Sequence, residues 1–357
     1  MKIVVTCGGT GGHSFPGLAV AEELRRRGHE VMVWSSGRDI EAAVMKGWTG
    51  PMFSTKARQL RLRNAFAILR SIWRCRREMK RVKPDVLLAM GSYSSLPPVI
   101  AAHWRGVPVC LHEANTVPGK AVDYLSHFAK VVAVSFERTA QYLPRVKTVL
   151  TGLPVRGEIA AGQRIAYIPA DAFTVFVTGG SQGAHAVNVL LSAALLQMRN
   201  ELARREEQKR PLYVIHQTGA DDEKEVQAAY AKAGLPARVR AFEDDMAGAF
   251  ASADFVVARA GASTCFELAA CGKPALLIPL PTAMRNHQHY NADAFAEKGA
   301  ADEGKQDALS VRQLSRYLLQ KYDHPEQLSA MAAKMRAMAV PDAAARVADL
   351  VEAEGRR

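Results

Sequence analysis

The 357 residues suit two domains of ordinary size, each able to bury its own core, and no low-complexity segment or short-period repeat appears. The five cysteines, Cys7, Cys75, Cys110, Cys265 and Cys271, are odd in number and contain no Cys-x-x-Cys pair, which argues against a disulfide framework or a zinc site and for a reducing compartment. Net charge is +12, and residues 56–83 alone carry eleven Lys/Arg against the single acid Glu78, so a surface of negative phosphates is expected to meet the protein there.

The chain enters an apolar strand near 2–7 at once, leaving no room for a signal peptide, and no apolar run is long enough to span a bilayer. Further strands are predicted near 30–34, 85–89, 107–112, 130–134 and 146–150, alternating with helices near 16–27, 38–46, 64–82, 94–104 and 136–142. Short, continuous, β-branched strands of this kind belong to a parallel sheet covered on both faces. After Gly152-Leu-Pro-Val-Arg156 a weakly patterned stretch runs to about 171. The alternation then restarts, with strands near 173–178, 211–217, 237–241, 254–258 and 274–278. From 310 onward the chain reads as helical, with Pro341 ending one helix and Asp342 capping the next. The restart predicts two doubly wound α/β domains, 1–156 and 157–340, with the last helix, about 342–357, packing back on the first.

Two of the strands run directly into glycine clusters that open helices. These are Gly8-Gly-Thr-Gly-Gly-His13 and Gly179-Gly-Ser-Gln-Gly-Ala184. Glycines let backbone N–H groups approach an anion closely, and the helix N-terminus behind them is partially positive, so each loop is suited to a phosphate. The pair suggests two nucleotide-type domains facing one another across a cleft. A dinucleotide site needs an acid at the end of the second strand. Val31-Met-Val-Trp34 leads instead to Ser35, Ser36 and Arg38, and Leu212-Tyr-Val-Ile215 to His216, Gln217 and Thr218, so NAD is not expected.

His13 is placed at the mouth of a helix starting near Pro16, where the dipole disfavours imidazolium and suits a neutral general base; a loop histidine capping backbone groups is the other reading. Thr264 and Glu267 fit a capping box, while a carboxylate at 267 is equally suited to the paired hydroxyls of a ribose. In Asn286-His-Gln-His-Tyr-Asn291 the two histidines point apart and no Cys/Asp cluster accompanies them, so sugar hydroxyls are expected there rather than a metal. Asp221-Asp222 and Asp244-Asp245 read as helix starts. Arg156 is either a diphosphate clamp or an interdomain ion-pair partner. In helix 64–82, Ala65, Ile68, Leu69, Ile72 and Met79 form a stripe, with Phe66, Trp73 and Cys75 off it beside Arg70, Arg74 and Arg77. That is either a core stripe under a solvated charged face or a helix resting on anionic lipid. Few aromatics accompany the arginines, so nucleic acid is not expected as a partner.

Taken together these segments resemble the MurG family, the inverting UDP-N-acetylglucosamine transferases that make lipid II for bacterial cell walls. The matches run in order over nearly the whole chain: Gly8 to His13 with Pro16-Gly-Leu-Ala19, His112-Glu113 with Asn115, Thr151-Gly152 with Pro154-Val-Arg156, Gly179 to Ala184, Phe242 with Asp244-Asp-Met246, Arg259-Ala-Gly-Ala262 with Thr264 and Glu267, Gly272 with Pro274, and His287-Gln288 with Asn291. The resemblance implies a B-type glycosyltransferase fold of two Rossmann-like domains, with the donor mainly on the second. Backbone at Phe242 and Glu243 would read uracil and Glu267 the ribose. Ser181 and Gln182, with the helix start at Ala262, Ser263 and Thr264, would hold the diphosphate, and His287 and Gln288 the sugar. From the first domain Thr10, Gly11, Gly12, Asn115 and Arg156 would reach the donor, and His13 would deprotonate the 4-hydroxyl of an undecaprenyl-diphosphate-linked acceptor. Gly91, Tyr93 and Ser95 would meet the acceptor diphosphate. No cofactor or metal is implied, and the enzyme would sit peripherally on the cytoplasmic face of the membrane.

This sequence departs from the family pattern at the second glycine loop, here Gly91-Ser-Tyr-Ser-Ser-Leu-Pro97, and at Leu153, Ala114 and Asn286. The first change bears on the acceptor, and the donor chemistry is little affected. Alternatives sharing the fold are a glycolipid synthase acting on diacylglycerol and a UDP-N-acetylglucosamine 2-epimerase.

Overall fold

The structure, a computed structural model, describes residues 1–9, 11–37, 45, 47–58, 64–180, 182–206 and 210–356. Thr10, Ser181, Arg61, Arg63 and nearly all of the expected helix 38–46 lie outside them. The chain divides into two compact units, Met1–Arg156 with Val340–Arg357, and Gly157–Ala339.

The first unit is built on a seven-stranded parallel sheet. Its strands are β1 (Lys2–Thr6), β2 (Glu30–Ser35), β3 (Met52–Ser54), β4 (Val86–Ala89), β5 (Val109–Glu113), β6 (Val131–Val134) and β7 (Lys147–Leu150), in the order β3-β2-β1-β4-β5-β6-β7. Successive side chains of a strand face opposite ways, so Ile3 and Val5 join one core and Val4 the other. The first core is closed by α1 (Gly11–Arg26) through Leu18, Val20, Ala21 and Leu24, and by the C-terminal helix through Val347, Ala348 and Val351. The second is closed by α2 (Ala65–Val82) through Cys75 and Met79, by α3 (Leu96–His103) through Val99 and Ala102, and by α4 (Lys120–Leu125) through Val122 and Leu125.

The second unit repeats the scheme with six parallel strands ordered β10-β9-β8-β11-β12-β13. These are β8 (Phe173–Thr178), β9 (Leu212–Gln217), β10 (Ala237–Arg240), β11 (Phe255–Ala258), β12 (Ala275–Leu277) and β13 (Asp302–Glu303). The helices, in chain order, are α5 (Gly157–Ala160), α6 (His185–Leu202), α7 (Glu223–Ala233), α8 (Met246–Ser252), α9 (Ala262–Cys271), α10 (His287–Ala296), α11 (Val311–Asp323) and α12 (Pro325–Ala337), and α13 (Ala343–Gly355) is the terminal helix that belongs to the first unit. Phe173, Val175 and Val177 pack against α6, α7, α11 and α12, while Phe176 meets Phe250 edge-to-face at 5.4 Å on the other side.

In both units the strand order reverses beside the first strand, between β1 and β4 and between β8 and β11, and the glycine loops leave the chain at those points. That is where open α/β sheets bind ligands. Four local readings are corrected. The first helix begins at Gly11, not near Pro16; Pro16 sits inside it and lacks only one N–H near the N-terminus. Residues Glu137–Tyr142 form a 3-10 helix. The edge strands β3 and β13, of three and two residues, were not expected. Asp342 stands at the N-cap of α13 but makes no capping bond; its carboxylate pairs with Arg346 at 2.9 Å. All five cysteines are free thiols, and no helix among the described residues is long and apolar enough to cross a membrane.

Candidate functional site

In the first unit the glycine loop is laid against the turn at 91–95. Gly9 has φ +112 and a Cβ there would collide with Ser92 Oγ. The Ser94 hydroxyl donates to the Gly8 carbonyl at 2.8 Å, and that of Ser95 to the Gly91 carbonyl. Gly91, at φ +80, lies where a Cβ would touch the His13 ring at 3.7 Å. The structure therefore places Gly91 beside His13 and Tyr93 beside Gly9.

His13 is the third residue of α1, within its first turn rather than in the loop before it. Its Nδ1 lies 2.9 Å from the Met90 carbonyl. A carbonyl only accepts, so Nδ1 carries the proton and Nε2 is the basic nitrogen. Arg156 stacks its guanidinium over the Phe15 ring at 4.1 Å, two residues along the same helix. His112 is buried behind this turn and donates from Nε2 to the Gly152 carbonyl at 3.2 Å; burial pulls its pKa from 6.5 down to about 4, so the ring is neutral. Glu113, also buried, accepts from the Asn115 backbone at 2.9 Å and side chain at 3.0 Å and from the Gly119 backbone at 3.0 Å, which fixes the loop carrying Asn115.

The basic helix α2 shows a phase different from the expected one. Ile72, Cys75 and Met79 are buried, whereas Phe66, Leu69 and Trp73 are 80%, 55% and 61% exposed. At about 100° per residue each trio, spaced three and four apart, forms its own face, so Cys75 belongs to the core stripe and Leu69 to the outer one. Beside the outer face an open groove of about 1390 Å³ is lined by Lys56, Arg58, Arg70, Arg77 and Arg105 among others. Arg74 also lines it while donating to the Ser54 carbonyl at 2.8 Å. Trp104, 52% exposed next to Arg105, extends this surface and was not picked out from the sequence, because it lies outside the charge-rich segment.

In the second unit the glycine loop after β8 is closed by a bond from Gly183 N–H to the Gly180 carbonyl at 2.9 Å. Gln182 lies in that turn. Helix α9 starts at Ala262 with Gly261 as its N-cap and no side-chain capping bond. The capping-box reading of Thr264 and Glu267 is therefore overturned: Thr264 is already in the first turn, and Glu267 sits one turn further, half-buried on the same face as Ser263 and Thr264. The N–H groups of Ala262, Ser263 and Thr264 are among those a helix leaves without intrahelical partners.

Asn291, buried in α10, donates to the Ala260 carbonyl at 3.1 Å and so ties the start of α10 to the start of α9. His287 opens α10 with Nδ1 donating to the Met284 carbonyl at 2.8 Å, and Gln288 accepts at Oε1 from the Leu280 backbone at 2.9 Å. The two residues before, Arg285 and Asn286, hold left-handed φ of 52° and 54°, strain of the kind that collects at ligand-contacting turns. His289 pairs with Glu303 at 2.6 Å instead of pointing with His287, and no metal-holding group of His, Cys, Asp or Glu is found among the described residues. Asp245 caps α8 by accepting from the Gly248 backbone at 2.8 Å, and Asp222 stands at the N-cap of α7. Phe242 is half exposed, while Glu243 is buried, its carboxylate paired with Arg238 at 2.7 Å. Arg259 is buried too, donating to the Ile278 and Pro279 carbonyls at 3.2 and 3.0 Å; it clamps the end of β12 and is structural.

Known proteins that share this sequence pattern and fold identify the chain as a glycosyltransferase. Residues 3–134 match the glycosyltransferase family 28 N-terminal domain and 174–347 the family 28 C-terminal domain. Along its length the chain is 35% identical to the UDP-N-acetylglucosamine--N-acetylmuramyl-(pentapeptide) pyrophosphoryl-undecaprenol N-acetylglucosamine transferase of Myxococcus xanthus, over 98% of this chain and 92% of that one. The crystal structure of Acinetobacter baumannii MurG matches with a TM-score of 0.78 at 33% identity, covering 99% of this chain and 100% of that one. The chain belongs to the MurG family of glycosyltransferases. A putative UDP-N-acetylglucosamine 2-epimerase from Listeria monocytogenes also gives a TM-score of 0.78, over 99% of this chain and 96% of that one, but at 13% identity, a likeness of fold alone.

Proposed function

We infer that this chain transfers N-acetylglucosamine from UDP-N-acetylglucosamine to the 4-hydroxyl of an undecaprenyl-diphosphate-linked N-acetylmuramoyl-pentapeptide, with inversion. The observation that carries the reading is family-level identity across both units, with His13 held at its Nδ1 beside the Gly91 turn. His13 Nε2 takes the proton of the attacking hydroxyl, the new glycosidic bond forms at the anomeric carbon, and UDP leaves. In the second unit backbone at Phe242 and Glu243 meets uracil and Glu267 the ribose. The 179–184 turn, with Gln182, and the N–H groups of Ala262, Ser263 and Thr264 meet the diphosphate. His287 and Gln288 hold the sugar. Thr10, Gly11, Gly12, Asn115 and Arg156 contribute from the first unit, and Ser181 joins the diphosphate contacts of the second. Gly91, Tyr93 and Ser95 serve the acceptor diphosphate.

The same reading places the enzyme peripherally on the cytoplasmic face of the membrane. Phe66, Leu69, Trp73 and Trp104 beside Arg70, Arg74 and Arg77 form the contact, supported by their exposure next to a cationic groove. The test is to incubate purified protein with labelled UDP-N-acetylglucosamine and the lipid-linked acceptor. Label in a disaccharide-lipid product supports the reading; free N-acetylmannosamine species, or transfer to diacylglycerol alone, contradicts it.

A further inference from the structure

The second unit holds a chain of buried polar groups that none of the contacts above uses. Asn188, fully buried in the first turn of α6, donates from Nδ2 to the Thr218 carbonyl at 2.7 Å and to Asp222 Oδ2 at 2.6 Å. Its Oδ1 is therefore the acceptor in the 3.2 Å contact with His216 Nε2, which puts the His216 proton on Nε2. His216 Nδ1 then accepts from the Tyr230 hydroxyl at 2.9 Å. At the other end the His185 ring donates from Nδ1 to Asp222 Oδ1 at 2.8 Å. Each group fixes the orientation of the next, which is how a buried polar network rigidifies its surroundings.

The Thr218 carbonyl on which Asn188 pulls is also the surface on which the glycine loop rests. Gly183, at φ +74, lies over it so closely that a Cβ would collide with the oxygen, and Gly219, at φ +82, abuts the Gln182 carbonyl in the same way. Beside them the Gln217 side chain donates to the Gly180 carbonyl at 2.8 Å. We propose that Asn188 is a positioning residue for a nucleoside diphosphate: through the Thr218 carbonyl it sets the position of Gly183, and with it the backbone of Gln182, before the ligand arrives. The inference rests on the reading that this loop holds the donor diphosphate.

The test compares UDP with uridine, both titrated by NMR into folded variants. Asn188→Ala is expected to weaken UDP by about tenfold, the scale of a lost buried hydrogen bond, while uridine changes less than about twofold. Gly183→Ala, which strikes the loop directly, should do the same more strongly. Should Asn188→Ala not fold, Tyr230→Phe carries the test, because it keeps the packing and removes only the bond that fixes the His216 ring; a loss of about threefold confined to UDP is expected. Equal losses for UDP and uridine would mean a general structural role and overturn the proposal. So would UDP affinity unchanged in Asn188→Ala while Gly183→Ala loses it. If Gly183→Ala also keeps full UDP affinity, the loop is not the diphosphate site and the proposal falls with that reading.

Discussion

The two units share a strand order, and each buries a histidine at the carboxyl end of a sheet strand, yet the two rings are held differently. His112, near the end of β5, bonds the Gly152 carbonyl, and its Nδ1 has no hydrogen-bond partner among the described residues. His216, near the end of β9, is bonded at both nitrogens within a closed network. The loops in front of them differ in the same sense. That of the first unit delivers a side chain, His13, with its basic nitrogen fixed by one bond. The second unit's loop is seated by Gly183 on the Thr218 carbonyl that Asn188 bonds. On the function proposed above, one topology serves two purposes: the first unit presents a proton acceptor, the second a cradle for an anion.

Breaking the first half of that comparison should have the largest effect. His13→Ala is expected to lower turnover by about 10²–10⁴-fold, as for loss of a general base, while UDP affinity by calorimetry stays within about twofold. Near-normal turnover in the folded variant would remove the base from the first unit.

The buried rings give the next effect. Burial lowers both folded pKa values from 6.5, to about 4 for His112 and about 3 for His216. A depressed value means stability that is present above pH 6.5 and lost as pH falls through the folded values. Across that window His112 should then withdraw about 3 kcal/mol and His216 about 5 kcal/mol. His185, whose pKa is raised by its bond to Asp222, should titrate above the ordinary range. Imidazole NMR signals check this: His112 and His216 should not titrate between pH 5 and 8, whereas the His185 midpoint should lie above that of an unperturbed imidazole. Titration of His216 in that range would show its network to be open.

Glu267→Ala should weaken UDP-N-acetylglucosamine by about 1–3 kcal/mol, from the lost charge-strengthened bonds to ribose, with the melting temperature nearly unchanged. A fall in melting temperature with affinity intact would reverse that assignment. The smallest effects concern the membrane contact proposed for the first unit. Arg70→Gln and Arg77→Gln should each cost about 1 kcal/mol of binding to anionic vesicles, less at high salt, leaving activity on a short-chain, water-soluble acceptor unchanged. Sedimentation of the double variant as complete as that of the parent would move the contact elsewhere.

The parallel sheets were legible because runs such as Ile3-Val-Val5 and Phe173-Thr-Val-Phe-Val177 have few other places to go than a doubly covered sheet. Met52-Phe-Ser54 and Asp302-Glu303 carry no such pattern; the neighbouring strand makes them strands. The start of α1 was misplaced because proline usually marks a first turn, and that of α9 because Thr-x-x-Glu imitates a cap that Gly261 supplies. Hydrophobicity alone could not set the phase of α2, where two apolar faces compete and only packing against Val4, Leu87 and Val99 decides which is inside. The roles of Arg238, Glu243 and Arg259 were hidden because charged residues read as surface until a partner closes over them. The Asn188 network joins residues about thirty positions apart, and no local pattern announces it.

The division of labour is tested most directly by a double-mutant cycle on kcat/KM with His13→Ala and Glu267→Ala. If one unit supplies the base and the other holds the ribose independently, the two losses multiply, with a coupling below about 0.5 kcal/mol. A coupling above about 1 kcal/mol would mean that the two residues act on the same step as a unit, and would contradict the account.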